Sequence, residues 1–490
     1  MTQPAAPALH VKRIGPTLRP DHSRVLMRPF RPTTDDIARA VAGRVLGLPE
    51  VEVGRLLREV LAEFGNRHQA VQEFFQRRFR YIRDSLAADW PELSVQRRAL
   101  IGAYFTHEYS PESAALFNPS IVPHPDQSEV PEGALRFILS LRATGEGHIS
   151  SITFRVGVIS AQHRVSLQPP VAFAVEPERV PNAVYETPLF ARKLDEAGVR
   201  NTFARAVLEQ LGTTFTADQL HQTLERERAS TAESPAVADR AARGMLLLAE
   251  SNYEVRFDPA QPVSQRVIFP SSPSQSNGIE DARFVRFVDD DGQATYYATY
   301  TAYDGKIILP QLLETADFVH FRFITLNGPA AQNKGMALFP RRIGGRYVML
   351  SRQDDENILL MFSDNLHFWE APQVLLTPAQ PWEYIKIGNC GSPIETEAGW
   401  LVLSHGVGAM RKYCLGAFLL DLEDPTRVIG RLRQPLLSAN EAEREGYVPN
   451  VIYTCGAILH RGEVIIPYAM SDSATSFASV PLDDLLRAME

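Results

Sequence analysis

Apolar residues in roughly the first hundred positions recur at the spacing of an amphipathic helix. The segment 33–36, Thr-Thr-Asp-Asp, offers an N-cap and an acidic first turn ahead of the apolar Ile37. The same period returns in three later segments, at about 49–64, 69–86 and 94–105. We therefore predict four helices here, forming either a small bundle or an arm that packs on another part of the protein.

From Leu116 onward the pattern changes to short runs rich in Val, Ile, Phe and Tyr, separated by Gly, Pro, Asn and Asp. Many short strands at roughly regular spacing are typical of an all-β sandwich, barrel or propeller. The predicted strands are Arg136–Leu141, Ile149–Val158, Ala282–Val288, Ala294–Thr301, Phe318–Thr325, Tyr347–Leu350, Ile358–Phe362, Trp400–Ser404, Cys414–Leu420, Ala457–Leu459 and Val464–Tyr468.

The strand pattern contains one interruption and one repeat. Helical periodicity at about 194–250 predicts a helical insertion between strands. Turns followed by a strand with an aromatic residue near its start recur at 289–297, 343–348 and 397–402, and such repetition favours a propeller over a sandwich. We predict an N-terminal helical extension at 1–110 followed by a β-domain that carries the insertion at 111–490.

Composition narrows the class of protein. Hydrophobic residues are 44% and charged residues 22% of 490, as in soluble globular proteins, and a net charge of −8 offers no basic surface for nucleic acid. Cys390, Cys414 and Cys455 are too few and too far apart for a disulfide framework or a zinc site. No apolar run reaches the roughly 18 residues of a membrane span, and the first 20 residues lack the apolar region of a secretory signal. We therefore expect a cytoplasmic protein that acts on a small molecule, with no nucleic-acid or membrane partner.

Polar, charged, glycine and proline residues crowd at places where predicted strands begin or end. In a propeller such positions can face the central axis, where a pocket lined by Asp, Lys, Arg and His can be catalytic. No metal-ligand spacing and no nucleotide-binding glycine loop accompany them. The clusters lie at 116–120, 277–283, 333–340, 350–352 and 399–407.

The segment 278–283, Gly-Ile-Glu-Asp-Ala-Arg, resembles the catalytic signature of glycoside hydrolase family 130, the mannoside phosphorylases and their hydrolytic relatives. The resemblance covers roughly Phe117 to the end of the chain apart from the helical insertion, and it implies a five-bladed β-propeller with its active site on the axis. Similar motifs follow in order at 333–334, 338–340, 388–393, 399–401, 405–407, 420–425 and 447–451.

The resemblance implies that Asp281 is the lone catalytic acid, which protonates the glycosidic oxygen through a mannose hydroxyl. Inorganic phosphate would be the co-substrate, with no other cofactor, and its attack from the opposite face would release α-mannose 1-phosphate with inversion. Phosphate is already an anion, so it needs cations to hold it but no base to activate it. Because the acid must carry a proton, we expect burial or Glu280 to raise the pKa of Asp281.

The remaining candidate residues take their roles from the same resemblance. Lys334 and Arg352 are expected to face phosphate, and His405 to contact sugar or phosphate. Arg142 is either a further phosphate-binding cation or an ordinary arginine at a strand end. The expected contacts of a β-linked manno-oligosaccharide or mannosyl glycoside are Asn118, Glu280, Arg283, Tyr447 and Asp472.

Two departures from the family pattern keep alternatives open. Ala282 stands where the family usually has proline, and Ser351 where phosphorylases tend to carry a histidine just before Arg352. Hydrolytic members lose basic phosphate ligands and gain carboxylates, which Asp354, Asp355 and Glu356 could supply here. The favoured function is therefore an inverting β-mannoside phosphorylase, with an inverting β-mannosidase as the alternative. A non-catalytic propeller that binds glycans or protein is the second alternative, and the N-terminal helices leave a homo-oligomer open.

Overall fold

The computed structural model describes residues 9–489 except 88, 170, 172, 182, 306 and 307. The described residues are mostly β from 106 onward, with α-helices in two blocks and one further short helix after the last strand. The strands are β1 (Lys12–Leu18), β2 (Leu26–Pro29), β3 (Thr106–Tyr109), β4 (Ala115–Pro123), β5 (Leu135–Thr144), β6 (Ser150–Ile159), β7 (Val165–Leu167), β8 (Glu178–Arg179), β9 (Val184–Glu186), β10 (Thr214–Thr216), β11 (Tyr253–Arg256), β12 (Val267–Ile268), β13 (Gly278–Val288), β14 (Ala294–Tyr303), β15 (Ile308–Thr315), β16 (His320–Thr325), β17 (Ala337–Leu338), β18 (Tyr347–Ser351), β19 (Ile358–Ser363), β20 (Pro372–Leu376), β21 (Lys386–Asn389), β22 (Ile394–Thr396), β23 (Gly399–Val407), β24 (Tyr413–Leu420), β25 (Val428–Arg431), β26 (Ile452–Tyr453), β27 (Ile458–His460), β28 (Glu463–Met470) and β29 (Ala474–Pro481). The α-helices are α1 (Asp35–Leu46), α2 (Glu50–Phe64), α3 (Val71–Ser85), α4 (Val95–Tyr104), α5 (Thr187–Glu196), α6 (Thr202–Gln210), α7 (Ala217–Ser230), α8 (Pro235–Glu250) and α9 (Leu482–Arg487).

The strands form five successive antiparallel units, which we number one to five. Unit one and unit two belong to the same sheet, because Gly278 of β13 pairs in parallel with Ser150 of β6. Each of the other three units is a separate sheet. The units are β4-β5-β6, β13-β14-β15-β16, β17-β18-β19-β20, β21-β23-β24-β25 and β26-β28-β29-β1.

The outer strand of unit five comes from the N-terminal region. Strand β1 pairs antiparallel with β29, and Arg13 on β1 makes a two-point ion pair with Glu443, at 2.6 and 2.7 Å. The helical interpretation of the first hundred residues did not include this strand. Its register shifts between Ile14 and Leu18, at the position of Gly15 and Pro16, so the segment has no clear strand period of its own. The edge of β29 supplies the pairing.

The four predicted N-terminal helices are confirmed as α1 to α4. Thr34 caps α1 by accepting from the Ile37 amide at 3.3 Å, and Ser94 caps α4 by accepting from the Arg97 amide at 3.1 Å. The buried guanidinium of Arg97 also donates to the carbonyl of Val45 at 2.5 Å, near the end of α1. The bond from Arg97 to Val45 ties α4 to α1, and the two caps fix where these helices begin.

The predicted helical insertion is present as α5 to α8, and it begins at Thr187, earlier than its apolar pattern indicated. It has its own apolar core, which includes Phe203, Val207 and Met245. Near the end of α5, Lys193 donates to the Leu326 carbonyl at 2.9 Å, just after β16 of unit two. The insertion therefore packs on the edge of unit two, while the division into domains at residue 110 stays a prediction.

The first strands of three different units contact one another. The Phe284 amide of β13 donates to Ser120 Oγ of β4 at 3.0 Å. The Cys455 amide, just after β26, donates to the Pro119 carbonyl at 2.8 Å. Because units one, two and five meet along these strands, polar side chains on their starts are brought together.

Candidate active site

Asp281 lies at a bulge in β13. The register with β14 shifts between Glu280 and Arg283, and the Asp281 backbone is left-handed, with φ of +54°. A non-glycine residue in this region costs on the order of 1 kcal/mol or more, and such strain is concentrated at functional sites. The carboxylate is only 14% exposed. The bulge thus turns an acidic side chain out of the strand pattern and into the interior.

A second bulge, in β4, brings Asn118 against Asp281. The register of β4 with β5 shifts between Phe117 and Ser120, and Asn118 is also left-handed, with φ of +46°. Its amide Nδ2 donates to Asp281 Oδ1 at 2.6 Å. Asn118 therefore fixes the orientation of the predicted catalytic carboxylate.

Arg142, on β5, bridges the two adjacent carboxylates. Its Nη2 donates to Glu280 Oε1 at 2.7 Å and its Nη1 to Asp281 Oδ1 at 3.2 Å. Ser150 Oγ accepts from its Nε at 2.9 Å, so the guanidinium is held from both sides. Lys334 approaches from the segment between β16 and β17, with Nζ 4.0 Å from Glu280 Oε2. Arg142 therefore lies at Asp281 and Glu280, and its role as a phosphate-binding cation stays a prediction.

The electrostatics of Asp281 contradict the expectation of a raised pKa. Burial alone would raise the pKa of Asp281, but the positive charges of Arg142, Arg283 and Lys334, together with the Asn118 hydrogen bond, outweigh it and lower the pKa to about 2. The carboxyl is therefore ionised at neutral pH in this arrangement. Sequence spacing could not indicate that three cations would surround one carboxyl.

Asp472 faces the same group of charges from unit five. It lies with Ser471 in the turn between β28 and β29, and both residues have left-handed backbones. Burial and the negative charge of Asp281 raise the pKa of Asp472 to about 6, although Arg142 and Arg411 act in the opposite direction. The predicted sugar contact Asp472 thus belongs to the same site as Asp281.

A second basic cluster follows β18. Arg352 Nη2 lies 3.2 Å from Asp355 Oδ1, and Lys386 Nζ lies 3.2 Å from Asp355 Oδ2. Asn333 Nδ2 donates to the Arg352 carbonyl at 3.1 Å, which fixes the backbone that carries the guanidinium. Ser351, at the position of the family's histidine, is buried and donates to Gln353 Oε1 at 2.8 Å. The structure therefore adds Lys386 to the cations that sequence reasoning identified.

His405 lies behind Arg352 rather than at the surface of the cluster. Burial, followed by the charges of Arg352, Arg283 and Lys386, lowers the pKa of His405 well below its usual value, so the ring is neutral. Its Nε2 lies 3.2 Å from Arg352 Nη1 and accepts from it, which leaves the proton on Nδ1, 3.6 Å from Cys390 Sγ. The direct contact of His405 with sugar or phosphate stays a prediction. His405 orients Arg352.

Arg283 lies beneath Asp281, and its predicted contact with substrate stays a prediction. It is buried and donates to the Tyr453 hydroxyl at 2.7 Å and to the Asp281 carbonyl at 3.3 Å. These two bonds hold the bulge from behind. Arg283 is therefore a positioning residue for Asp281.

Tyr447 lies at the rim of the site. Its side chain is 64% exposed, and its ring packs on His148 with centroids 5.6 Å apart. The amide of the next residue, Val448, donates to the Ser471 carbonyl at 3.1 Å, which places Tyr447 close to the Asp472 turn. His148 and Arg411 were not identified from sequence, and no signal in their surroundings would have found them. Lys386 could have been found, because the chain contains few lysines among many arginines.

Across 9–489, apart from the six residues left out, no group of three or more His, Cys, Asp and Glu side chains is placed to hold a metal ion. No helix in that same part of the chain has the length and apolar character needed to cross a bilayer.

The amino-acid sequence is similar to one family profile and to several proteins of known activity. The profile of glycoside hydrolase family 130, described as β-1,4-mannooligosaccharide phosphorylase, matches residues 245–490. The chain is 34% identical over 227 residues to 1,2-β-oligomannan phosphorylase of Thermoanaerobacter sp. strain X514, which covers 45% of this chain and 73% of the relative. It is 31% identical over 235 residues to β-1,2-mannobiose phosphorylase of Listeria innocua, which covers 46% of this chain and 63% of the relative.

Among solved structures, the complex of β-1,2-mannobiose phosphorylase from Listeria innocua with β-1,2-mannobiose superposes with a TM-score of 0.45 and 20% identity, over 77% of this chain and 92% of that chain. The profile match extends over half of the chain, and it contains Asp281, Lys334, Arg352 and His405. The chain therefore belongs to glycoside hydrolase family 130, the enzyme family of the mannooligosaccharide phosphorylases.

Proposed function

We propose that this enzyme catalyses the inverting phosphorolysis of β-mannosides to α-mannose 1-phosphate and a free acceptor sugar. The observation that carries the proposal is the strained, buried Asp281, with Arg142 bound to its carboxylate and Lys334 bringing a further positive charge. One acid with cations around it suits an anionic nucleophile, because phosphate needs positive charge to hold it and no general base. The named activities of the relatives support the same reaction.

In the proposed reaction Asp281 gives its proton to the glycosidic oxygen through a hydroxyl of the bound mannose. A phosphate oxygen attacks the anomeric carbon from the opposite face, and the bond from that carbon to the acceptor oxygen breaks. The acceptor leaves as a neutral alcohol, and the new bond has the inverted, α configuration. Arg352, Lys386 and Lys334 hold the phosphate, and His405 contributes by orienting Arg352.

In this proposal phosphate also affects the protonation of Asp281, because the pKa of that carboxyl is low. A general acid with a pKa of about 2 is almost fully ionised at neutral pH. Lys334 belongs both to the cations that lower this pKa and to those that hold phosphate, so a bound phosphate anion offsets its charge and raises the pKa of Asp281. The nucleophile thus helps the acid to hold the proton that the reaction consumes.

The sugar side of the site and the closed fold are part of the proposal. Asn118 and Asp472 are proposed to contact the mannose that is transferred, and Tyr447 the acceptor at the rim. We also propose that the five antiparallel units close into a five-bladed propeller around this site, which is supported by the bonds between first strands of units one, two and five. Both β-1,4- and β-1,2-linked mannosides are candidate substrates, because the family description names a β-1,4 activity and the two relatives are named for β-1,2 activities.

An inverting β-mannosidase is the second candidate, and one observation favours it. Asp355 places a carboxylate beside Arg352, where a water molecule could be activated, and Ser351 occupies the position of the expected histidine. Hydrolysis would require this second carboxylate as a base.

The test measures products from β-1,2- and β-1,4-mannobiose with and without inorganic phosphate. We expect α-mannose 1-phosphate only when phosphate is present, and loss of turnover in Asp281→Asn. Free mannose at equal rates under both conditions would refute phosphorolysis and support the mannosidase.

A further inference from the structure

Asp355 is the acidic residue that faces the second basic cluster. Its backbone is left-handed, with φ of +59°, and this turns the side chain toward Arg352 and Lys386. The neighbouring Asp354 has a different task, because its carboxylate accepts from the Glu356 and Asn357 amides at 3.0 and 2.9 Å and forms the turn itself. Asp354 therefore stabilises the turn, whereas Asp355 pairs with the cations.

The two cations need a counter-charge. Arg352 is nearly buried, and the ring that it contacts, His405, is neutral. A buried guanidinium without an anion is costly, so a carboxylate beside it stabilises the site. Asp355 is itself 55% exposed, and ion pairs with exposed partners contribute only about 0–1 kcal/mol. Asp355 can therefore leave the cations at little cost when a stronger anion arrives.

We propose that Asp355 is a resident counter-anion that competes with phosphate for Arg352 and Lys386 and so sets the affinity for phosphate. This inference rests on the proposed phosphorolysis for its meaning in catalysis. Phosphate carries more charge than a carboxylate and can bind a guanidinium at two points. It displaces Asp355 into solvent, whereas a monovalent anion competes less well. The residue thus selects for phosphate without touching the sugar.

The experiment compares Asp355→Asn with Glu356→Gln. Asparagine tolerates the left-handed backbone, so the change removes the charge and keeps the turn. Glu356 is exposed one residue further along, and its replacement removes the same charge from the same loop. Binding of inorganic phosphate is measured by calorimetry, and the KM values for phosphate and for mannobiose are measured separately. Asp355→Gly is a second variant without the charge, because glycine also accepts this backbone, and it shows whether an effect is specific to asparagine.

We expect Asp355→Asn and Asp355→Gly to lower both the Kd and the KM for phosphate by roughly three- to tenfold, with the KM for mannobiose unchanged. Glu356→Gln should change neither value. An unchanged or weaker phosphate affinity in both Asp355 variants would overturn the inference. Loss of phosphate-independent mannose release in those variants would also overturn it, since Asp355 would then be a base. Because calorimetry needs no turnover, failure of phosphorolysis in the wild-type enzyme is distinguishable from failure of this inference.

Discussion

Asn118 and Asp281 lie at bulges on the first strands of neighbouring units, and the Asn118 amide donates to the Asp281 carboxylate at 2.6 Å. Both backbones are left-handed, so neither side chain follows the alternation of its strand. Two local distortions, each unfavourable alone, stabilise one another through this bond. The position of the proposed catalytic carboxylate therefore depends on the pairing of two units and not on β13 alone.

Asn118→Ala is expected to lower kcat by roughly 10- to 100-fold, because a hydrogen bond to a charged group contributes about 1.5–3 kcal/mol. The KM for phosphate should change little. Asn118→Gly is the matched control, since glycine accepts the left-handed backbone but also lacks the amide. We expect both variants to lose similar activity and only the alanine variant to lose thermal stability. Recovery of activity in the glycine variant would show that backbone conformation, and not the hydrogen bond, matters.

The pH dependence of turnover should move with phosphate concentration. In the absence of an anion, Arg142, Arg283 and Lys334 overcome the effect of burial and lower the pKa of Asp281 to about 2. Phosphate bound among cations raises that pKa, so the protonated fraction of the acid at neutral pH increases. The alkaline limb of kcat/KM for mannobiose reports loss of this proton and should shift to higher pH as phosphate is raised. A limb that stays fixed from low to saturating phosphate would contradict the coupling.

Asp472→Asn is expected to stabilise the protein above about pH 6. The folded-state pKa of Asp472, about 6, lies above its ordinary value of 3.8, so between these values the native state holds a proton that the unfolded chain has released. The free energy of unfolding therefore falls as the pH rises through this window, by at most about 3 kcal/mol.

The Asp472 variant should thus have a higher Tm than wild type at about pH 7.5. The difference should be small at about pH 4, where the Asp472 carboxyl of the folded wild-type protein is protonated and as uncharged as the asparagine amide. Asp364→Asn, at an exposed aspartate, is the control and should leave both values unchanged. An equal gain in Tm at the two pH values would refute the assignment of a raised pKa to Asp472.

His405 should affect phosphate binding through Arg352. Its Nε2 accepts from Arg352 Nη1, so His405→Phe removes the acceptor and is expected to raise the KM for phosphate by about tenfold. His405→Gln keeps an acceptor and should recover part of that loss. The KM for mannobiose should change much less in both variants. Equal effects on the two KM values would indicate a general packing defect instead.

Local signals predicted much of the fold. The N-cap at 33–36 and the helical spacing of apolar residues located the N-terminal helices, and runs of apolar and aromatic residues located strands such as β5, β14 and β24. Strand β1 was missed because its pairing partner β29 lies far away in the sequence, and nothing local specifies that pairing. A strand that depends on a partner so far away in the sequence cannot be predicted from the local spacing of apolar residues.

The candidate site was predicted less completely than the fold. The family signature identified Asp281, and the structure brings Asn118, Arg142 and Asp472 to it. The direction of the Asp281 pKa was wrong, because it depends on distances to cations from separate strands. The neutral state of His405 was missed for the same reason: burial and three nearby positive charges are properties of the folded chain.

The pairing of β1 with β29 has a consequence for how the enzyme becomes active. Arg13 on β1 binds Glu443, and the Glu443 carbonyl accepts from Ser471 Oγ at 2.7 Å, next to Asp472. During synthesis β29 emerges long after β1, so the contact between them forms only once β29 has been made. Joining such distant segments carries a large loop-closure cost and is intrinsically slow. We expect the turn that carries Asp472 to be the last part of the candidate site to order, so that a nascent chain has Asp281 in place before the site is complete.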